Sequence, residues 1–515
     1  MTRKRLPIGI QTLAKIREDN CYYVDKTRFA LSLIQNGSYY FLSRPRRFGK
    51  SLFLDTLKEL FEGNRPLFSG LYAENNWDWS IRYPVIHISF GGGVICDRDD
   101  LDRTIQSILR YNQERLKISC METDHISSCF AEMIRNTHEK TGQRVVVLVD
   151  EYDKPILDRI EDEATALDIR EGLKDLYSVI KDADAHIKFA FLTGVSKFSK
   201  VSLFSGLNNL QDITLDHRYS AICGYTEDDV DAVFAPELED LNRDEIRAWY
   251  NGYNWTGTSV YNPFDLLLLF SNRQFRSWWF ETGPPTFLLK LLMERRQFTP
   301  DLEHIVAPET LLSTFDVGNI PVEALLFQTG YLTVEFVEFL PGRMELGLRY
   351  PNLEVKAGLN DSLLGALCGD PNIPARRVGQ LYRLLKANDF TGLHALFQSF
   401  YASIPHQWYT GNTIARYEGF YVSVFYSYFA ALGLDIRTEE STNHGRIDMA
   451  VLFGGMVYLF EFKVVEETPA GKAIQQIRDM GYADKYRSLG LPIHLIGVEF
   501  SKTERNIVDF DVETV

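Results

Sequence analysis

Residues Arg44-Pro45-Arg46-Arg47-Phe48-Gly49-Lys50-Ser51 stand between an apolar run, YYFLS (39–43), and an amphipathic one, SLFLDTLKELF. A Gly-Lys-Ser that closes a loop and opens a helix turns backbone N–H groups toward an anion. In that setting Lys50 reaches the β- and γ-phosphates of ATP and Ser51 ligates Mg²⁺. Arg46, Arg47, Phe48 and Gly49 are the remaining loop candidates for nucleotide binding. One departure stands out. Arg44 occupies the place where a phosphate loop has its first glycine, so either the backbone there is unusual or the loop starts differently. Farther on, RVVVLVD (144–150) ends in Asp150-Glu151. A strand-end aspartate holds Mg²⁺, and a following glutamate polarises the attacking water. A third run, HIKFAFLT (186–193), ends in Thr193, with Ser196 and Lys197 just behind. Thr193 there either senses the γ-phosphate or serves ordinary turn chemistry.

A second constellation lies near the C-terminus, in GRIDMAVLFGGMVYLFEFKVV. Gly454-Gly455 is a two-residue turn signal between apolar runs. A turn centred there pairs Phe453 with Met456 and sets Asp448 opposite Glu461. Directly opposed side chains share a face, with Cβ atoms roughly 4.5–5.5 Å apart. Lys463, two residues beyond Glu461, shares that face. Opposed carboxylates on apolar strands repel unless a cation lies between them, and oxygen ligands favour Mg²⁺ or Mn²⁺. Such an ion lowers the pKa of a bound water beside a phosphodiester, while Lys463 orients that water or stabilises developing charge. A register slip of one residue would part the two acids. Glu418, on the helical stretch YEGFYVSVFYSYFAAL, is a candidate third carboxylate. Gln476, in AGKAIQQIRDMGYADKY, is a candidate amide for the water or a phosphate oxygen.

The elements that must carry these groups follow from periodicity. The runs at 39–43, 83–90, 144–150 and 186–193 are short, apolar and rich in β-branched and aromatic residues. With helical patterns between them they predict a buried parallel sheet. Residues 225–300 read as helical and aromatic-rich. Residues 301–375 mix short helices with strands around Pro341-Gly342, and 376–435 read as helical. From 436 the order is strand, hairpin, helix, strand. A chain of 515 residues is too long for one core. The expected division is 1–225 for the phosphate-loop domain, 226–300 for a helical lid, 301–375 for a middle region and 376–515 for the hairpin domain. A net charge of −15 argues against non-specific nucleic-acid binding, so any such contact needs a local basic groove. Six scattered cysteines without a CxxC pair argue against a zinc site and a disulfide framework and suit the cytoplasm. No apolar run is long enough for a membrane span, and no secretory leader is read at the N-terminus.

The chain resembles the bacterial AAA-ATPase-like proteins that carry a C-terminal PD-(D/E)XK nuclease-superfamily domain. The resemblance covers essentially the whole length. It rests on YVDKTRF (22–28), FLSRPRRFGKSL (41–52), VVVLVDEYDKPI (145–156), FLTGVSKFSKVSLFSGLNNL (191–210), ICGYTEDD (222–229), VYNPFDLL (260–267), WFETGPPTFLLKLL (279–292), LLFQTGYLT (325–333), GRIDMAVLF and VYLFEFKV (445–464). It implies an α/β multidomain chain: a P-loop parallel sheet with a helical lid, a small winged-helix-like middle domain and a restriction-endonuclease-like α/β core. It implies Lys50, Ser51, Asp150 and Glu151 as ATPase residues. Asp448, Glu461 and Lys463 match the nuclease signature, Glu418 its preceding helix acid and Gln476 its following polar position. The Arg-Pro-Arg-Arg start belongs to the family's usual form, whereas Ile447 stands where the signature has proline. Arg46 and Arg47 remain open between phosphate, nucleic acid and a neighbouring subunit. The expected function is ATP-regulated cleavage of DNA or RNA. The alternative is a non-catalytic, ATP-dependent partner-binding switch. Oligomeric state stays open.

Overall fold

The computed structural model describes all residues except 1–2, 122–124, 198–202, 204–208, 280–285, 295–298, 314–315, 369–371, 405–417, 443–444 and 467–470. Contacts divide the chain into two compact units, Met1–Arg276 with Ile305–Asn352, and Ser277–His304 with Leu353–Val515.

The first unit is built on strands β1 (Tyr39–Ser43), β2 (Val85–Ser89), β3 (Val145–Asp150), β4 (Ile187–Gly194) and β5 (Gln211–Asp212). They form one parallel sheet in the order β2-β3-β4-β1-β5. All six residues of β3 are buried, as a strand covered on both faces demands. Each of the four sequence-predicted runs is a strand here. The order sets the carboxyl ends of β1, β4 and β3 side by side, the edge at which open parallel sheets bind ligands. The same unit holds an antiparallel sheet of β6 (Ile305–Pro308), β7 (Thr333–Leu340) and β8 (Arg343–Arg349), ordered β6-β8-β7, with Pro341-Gly342 as the β7–β8 turn.

The second unit contains β9 (Asp435–Ser441), β10 (Arg446–Phe453), β11 (Met456–Val465), β12 (Ile493–Ser501) and β13 (Asn506–Thr514). The sheet order is β13-β12-β11-β10-β9, parallel only between β11 and β12. A parallel pair needs a long crossover, and the helix Lys472–Asp479 lies in it. One sheet face packs on an aromatic core in which Phe397 stacks on Phe425 at 3.8 Å. The other face, through Ala450, Val457, Leu459 and Leu495, packs on Ile474 and Ile477 of the crossover helix. Gly497 is required there: a Cβ would sit 2.4 Å from the backbone nitrogen of Ile474.

Two features differ from the sequence reading. The units do not follow the segments 226–300 and 301–375. The described residues of 277–304 belong to the second unit, where Trp279 N–H donates to Glu354 at 2.7 Å and Tyr426 hydroxyl to Glu303 at 2.7 Å. Strand β6 then returns the chain to the first unit. A linear scan of composition does not register such a re-entry. Against the expectation of no disulfide framework, one disulfide is present among the described residues. Cys120, just after the helix Arg98–Leu116, is bonded to Cys129 in the helix Ile126–Thr141, with Cα atoms 5.2 Å apart. Among the described residues no helix is long and apolar enough to cross a membrane.

Gly497→Ala should lower the stability of the second unit by about 2 kcal/mol, since the added carbon meets helix backbone rather than a movable side chain. Urea denaturation followed by tryptophan fluorescence and circular dichroism checks this. An unchanged midpoint would mean that the helix Lys472–Asp479 is not docked so closely.

Candidate functional site

The phosphate loop owes its shape to two left-handed residues, Arg47 (φ +69°) and Gly49 (φ +93°). Gly49 immediately precedes the helix Lys50–Phe61, and its conformation is one that glycine adopts freely. Arg47 is a costlier occupant, and its guanidinium lies over the Phe264 ring at 4.0 Å. Lys50 is buried, with its ammonium donating to the carbonyls of Arg44 (3.0 Å) and Pro45 (2.9 Å). Burial lowers its pKa, while Asp150 opposes that fall.

Arg44 resolves the oddity of the motif. It is absent from the left-handed residues, so no glycine is needed at this place. Its side chain is wholly buried and donates to the carbonyls of Ser43 (2.8 Å), Thr214 (2.9 Å) and Tyr219 (3.3 Å). The guanidinium also lies 4.1 Å from the Trp255 ring. Burial pulls its pKa down to about 10, which leaves it charged at neutral pH. Arg44 therefore pins the start of the loop to the segment that follows β5. The Phe48 ring is likewise structural, packed edge-on against Tyr253 and Trp255. Phe48 also borders the cavity described below.

Asp150 ends β3 and is buried, and its Oδ1 accepts from the N–H of Glu151 at 3.0 Å. Glu151 takes φ +52°, a strained conformation for a residue with a Cβ. Its carboxyl pKa is raised, first by burial and then by the like charge of Asp150, with Lys50 opposing. Arg46, Arg47, Gly49, Lys50, Ser51 and Glu151 border one cavity of about 360 Å³. Ile10, Tyr22, Phe264 and Leu267 form its apolar wall. That volume and mixed lining suit a small-molecule ligand with one charged end. Thr193 is placed otherwise. It is fully buried, and its hydroxyl donates to Leu42 O of β1 at 2.9 Å, so it laces two strands and does not border the cavity.

In the second unit the hairpin register is the expected one, with Phe453 opposite Met456 and Met449 opposite Phe460. Both turn glycines have positive φ, as a tight two-residue hairpin requires. The regular ladder ends at Met449. Beyond it the Asp448 carboxylate accepts from Phe462 N–H at 2.9 Å. Glu461 is wholly buried, and Lys463 donates to its Oε1 at 3.0 Å. Burial raises the pKa of Asp448, opposed by the Phe462 N–H and by Lys463. Glu461 and Lys463 alternate with Phe460 and Phe462 and so share the face of Val457 and Leu459, which the helix Lys472–Asp479 covers. Gln476 is half-buried on that helix, which starts at Lys472. Glu418 opens the helix Glu418–Ala431, but its side chain lies outside the described residues. Among those described, no group of three or more His, Cys, Asp and Glu side chains is placed to hold a metal ion. The two acids are oxygen donors of the kind that Mg²⁺ and Mn²⁺ take.

Sequence reasoning missed Glu499. It is wholly buried on β12 and pairs in register with Lys463 of β11. Its Oε1 accepts from the N–H groups of Lys472 (2.6 Å) and Ala473 (3.3 Å), which anchors the start of the helix that bears Gln476. The available signal was a lone acid inside the apolar run IHLIGVEF.

Comparison with known proteins follows this division. Residues 7–204 match the family model described as predicted AAA-ATPase, and residues 416–510 the PD-(D/E)XK nuclease superfamily. The uncharacterized protein in the vnfD 5′ region of Azotobacter chroococcum mcd 1 is 65% identical over 516 residues, covering 100% of each chain. The Aeropyrum pernix ORC1 protein in complex with DNA aligns over 65% of this chain and 91% of its own. That alignment has 14% identity and a TM-score of 0.26, too distant to carry an inference.

The raised pKa of Glu151 gives a signed prediction. A carboxyl whose folded pKa lies above its unfolded value favours folding at low pH and opposes it once ionised. Glu151→Gln should therefore stabilise the ligand-free protein at pH 8, on the order of 0.5 kcal/mol after solvent screening. The gain should shrink as the pH falls toward the ordinary glutamate range. Urea midpoints across that pH range test it, and a gain that grows on acidification would reverse the assignment.

Proposed function

The chain belongs to the same family as the Azotobacter protein and joins an AAA-ATPase-like region to a PD-(D/E)XK nuclease-superfamily region, and on that premise we propose an ATP-regulated, metal-dependent nuclease. The observation that supports the nuclease half is the closeness of two acids and a lysine on paired strands: Asp448 accepts from the N–H of Phe462, between Glu461 and Lys463, and Lys463 donates to Glu461. In the first unit the phosphates lie against the backbone of residues 46–51, with Lys50 released from its loop carbonyls to meet them. Arg46 and Arg47, at the polar rim, add charge. Ser51 and Asp150 would hold Mg²⁺, which neutralises charge on the transferred phosphoryl group. Glu151, with its proton affinity raised by burial, draws a proton from the attacking water. The apolar wall at Ile10 and Phe264 takes the base.

In the second unit Asp448 and Glu461, with Glu418 as the further candidate, would hold Mg²⁺ or Mn²⁺, which supplies Lewis acidity at the phosphodiester. Lys463 keeps its ammonium beside Glu461 and stabilises charge on the phosphate oxygens. Gln476 orients water or phosphate. DNA and RNA are both substrates to be tried. A cytoplasmic setting belongs to this reading, since ATP is supplied there. The second reading, a non-catalytic switch, is favoured by the net charge of −15, which disfavours nucleic-acid binding. Titration with Mn²⁺ separates the two, because the switch predicts no heat that depends on Glu461.

The direct test is a cleavage assay on single- and double-stranded DNA and RNA with Mg²⁺, with and without ATP. Asp448→Ala should abolish cleavage and leave ATP hydrolysis unchanged. Lys50→Ala should abolish ATP hydrolysis and the response of cleavage to ATP. Absence of cleavage on every substrate by the wild type would overturn the nuclease reading.

A further inference from the structure

Two residues past Glu151, Asp153 is 1% exposed and does not border the nucleotide cavity. Its carboxylate is turned to the segment after β4. Oδ2 accepts from the N–H of Ser196 (2.5 Å), from the Ser196 hydroxyl and from the N–H of Val195 (3.1 Å). Bonds on either side complete the lacing. Tyr152 N–H donates to Thr193 O at 3.1 Å, and Tyr152 hydroxyl to Ser196 O at 3.1 Å. Gly194 leaves the room, since a Cβ there would fall 2.3 Å from Asp153 Oδ1. The turn is fixed from its far side as well, because Lys197 pairs with Asp212 at 2.6 Å.

Glu151 needs such a frame. A non-glycine residue at φ +52° relaxes unless its neighbours hold it. We propose that Asp153 is a positioning residue for ATP hydrolysis, holding Glu151 in the conformation that presents its carboxylate to the cavity beside Lys50. This rests on the ATPase reading above. Asp153 itself touches neither phosphate nor water and acts through the 193–196 turn. Asparagine is the informative replacement. It keeps the volume, but its amide nitrogen turns a donor toward donors. Ser196→Ala removes one donor of three and leaves both backbone bonds.

The test uses the full chain, steady-state ATP hydrolysis and binding of a fluorescent ATP analogue. Asp153→Asn should lower kcat about 100-fold, the cost of misplacing a reacting group by an ångström. KM and the analogue's Kd should stay within about twofold of wild type, with Ser196→Ala intermediate in kcat. Turnover near wild type in Asp153→Asn, or a matched loss of turnover and affinity, would overturn the proposal. If the wild type binds the analogue without hydrolysing ATP, the ATPase reading fails separately. Amide hydrogen exchange then decides. Protection at Glu151, Val195 and Ser196 should be lost together in Asp153→Asn, and unchanged exchange at Glu151 would refute the tether.

Discussion

Arg44 donates to three backbone carbonyls and lies against the face of Trp255, so its charge is carried out of water only because the surrounding main chain answers it. That requirement, a desolvated charge matched within hydrogen-bond reach, recurs wherever this protein places chemistry. Lys50 is matched by two carbonyls of its own loop, and Asp153 by two N–H groups and a hydroxyl. The compensations of Arg44 and Asp153 tie together segments distant in sequence. The start of the phosphate loop is bonded to residues after β5, and the acid end of β3 to the turn after β4. The loop cannot shift without unmatching a buried ion.

The second unit obeys the same constraint in a different sheet. Glu461 is wholly buried among apolar strands and is met by Lys463, while Glu499 is met by the first N–H groups of the crossover helix. Asp448 takes the Phe462 N–H where the ladder ends. An acid within β10 thus completes the pairing with β11 where the regular ladder stops. Replacing one member of such a set leaves its partner buried and unmatched, so these residues are expected to be sensitive for stability as well as for function.

Much of this was open to a reader of the sequence. The strand runs and the hairpin turn rest on local pattern. So does the glycine before Lys50. Alternation of side chains along β11 then carries Glu461 and Lys463 to one face. Thr193 misled because a strand-end hydroxyl reads alike whether it points at a ligand or at the next strand. Asp153 and Glu499 escaped notice because their partners come from the turn after β4 and from the crossover helix, and no spacing within their own segments announces them.

The division has a physical basis. Periodicity and turn chemistry act over a few residues, so the sequence by itself determined the phosphate loop, its following helix, the apolar strands ending in acid and the register of the C-terminal hairpin. Strand order, the return of the chain at β6, the role of Arg44 as a pin, the Cys120–Cys129 bond and the partners of Asp153 and Glu499 were decided only by the tertiary structure. They depend on which buried charges and backbone groups meet across the sheet, and such meetings are set by packing between elements remote along the chain.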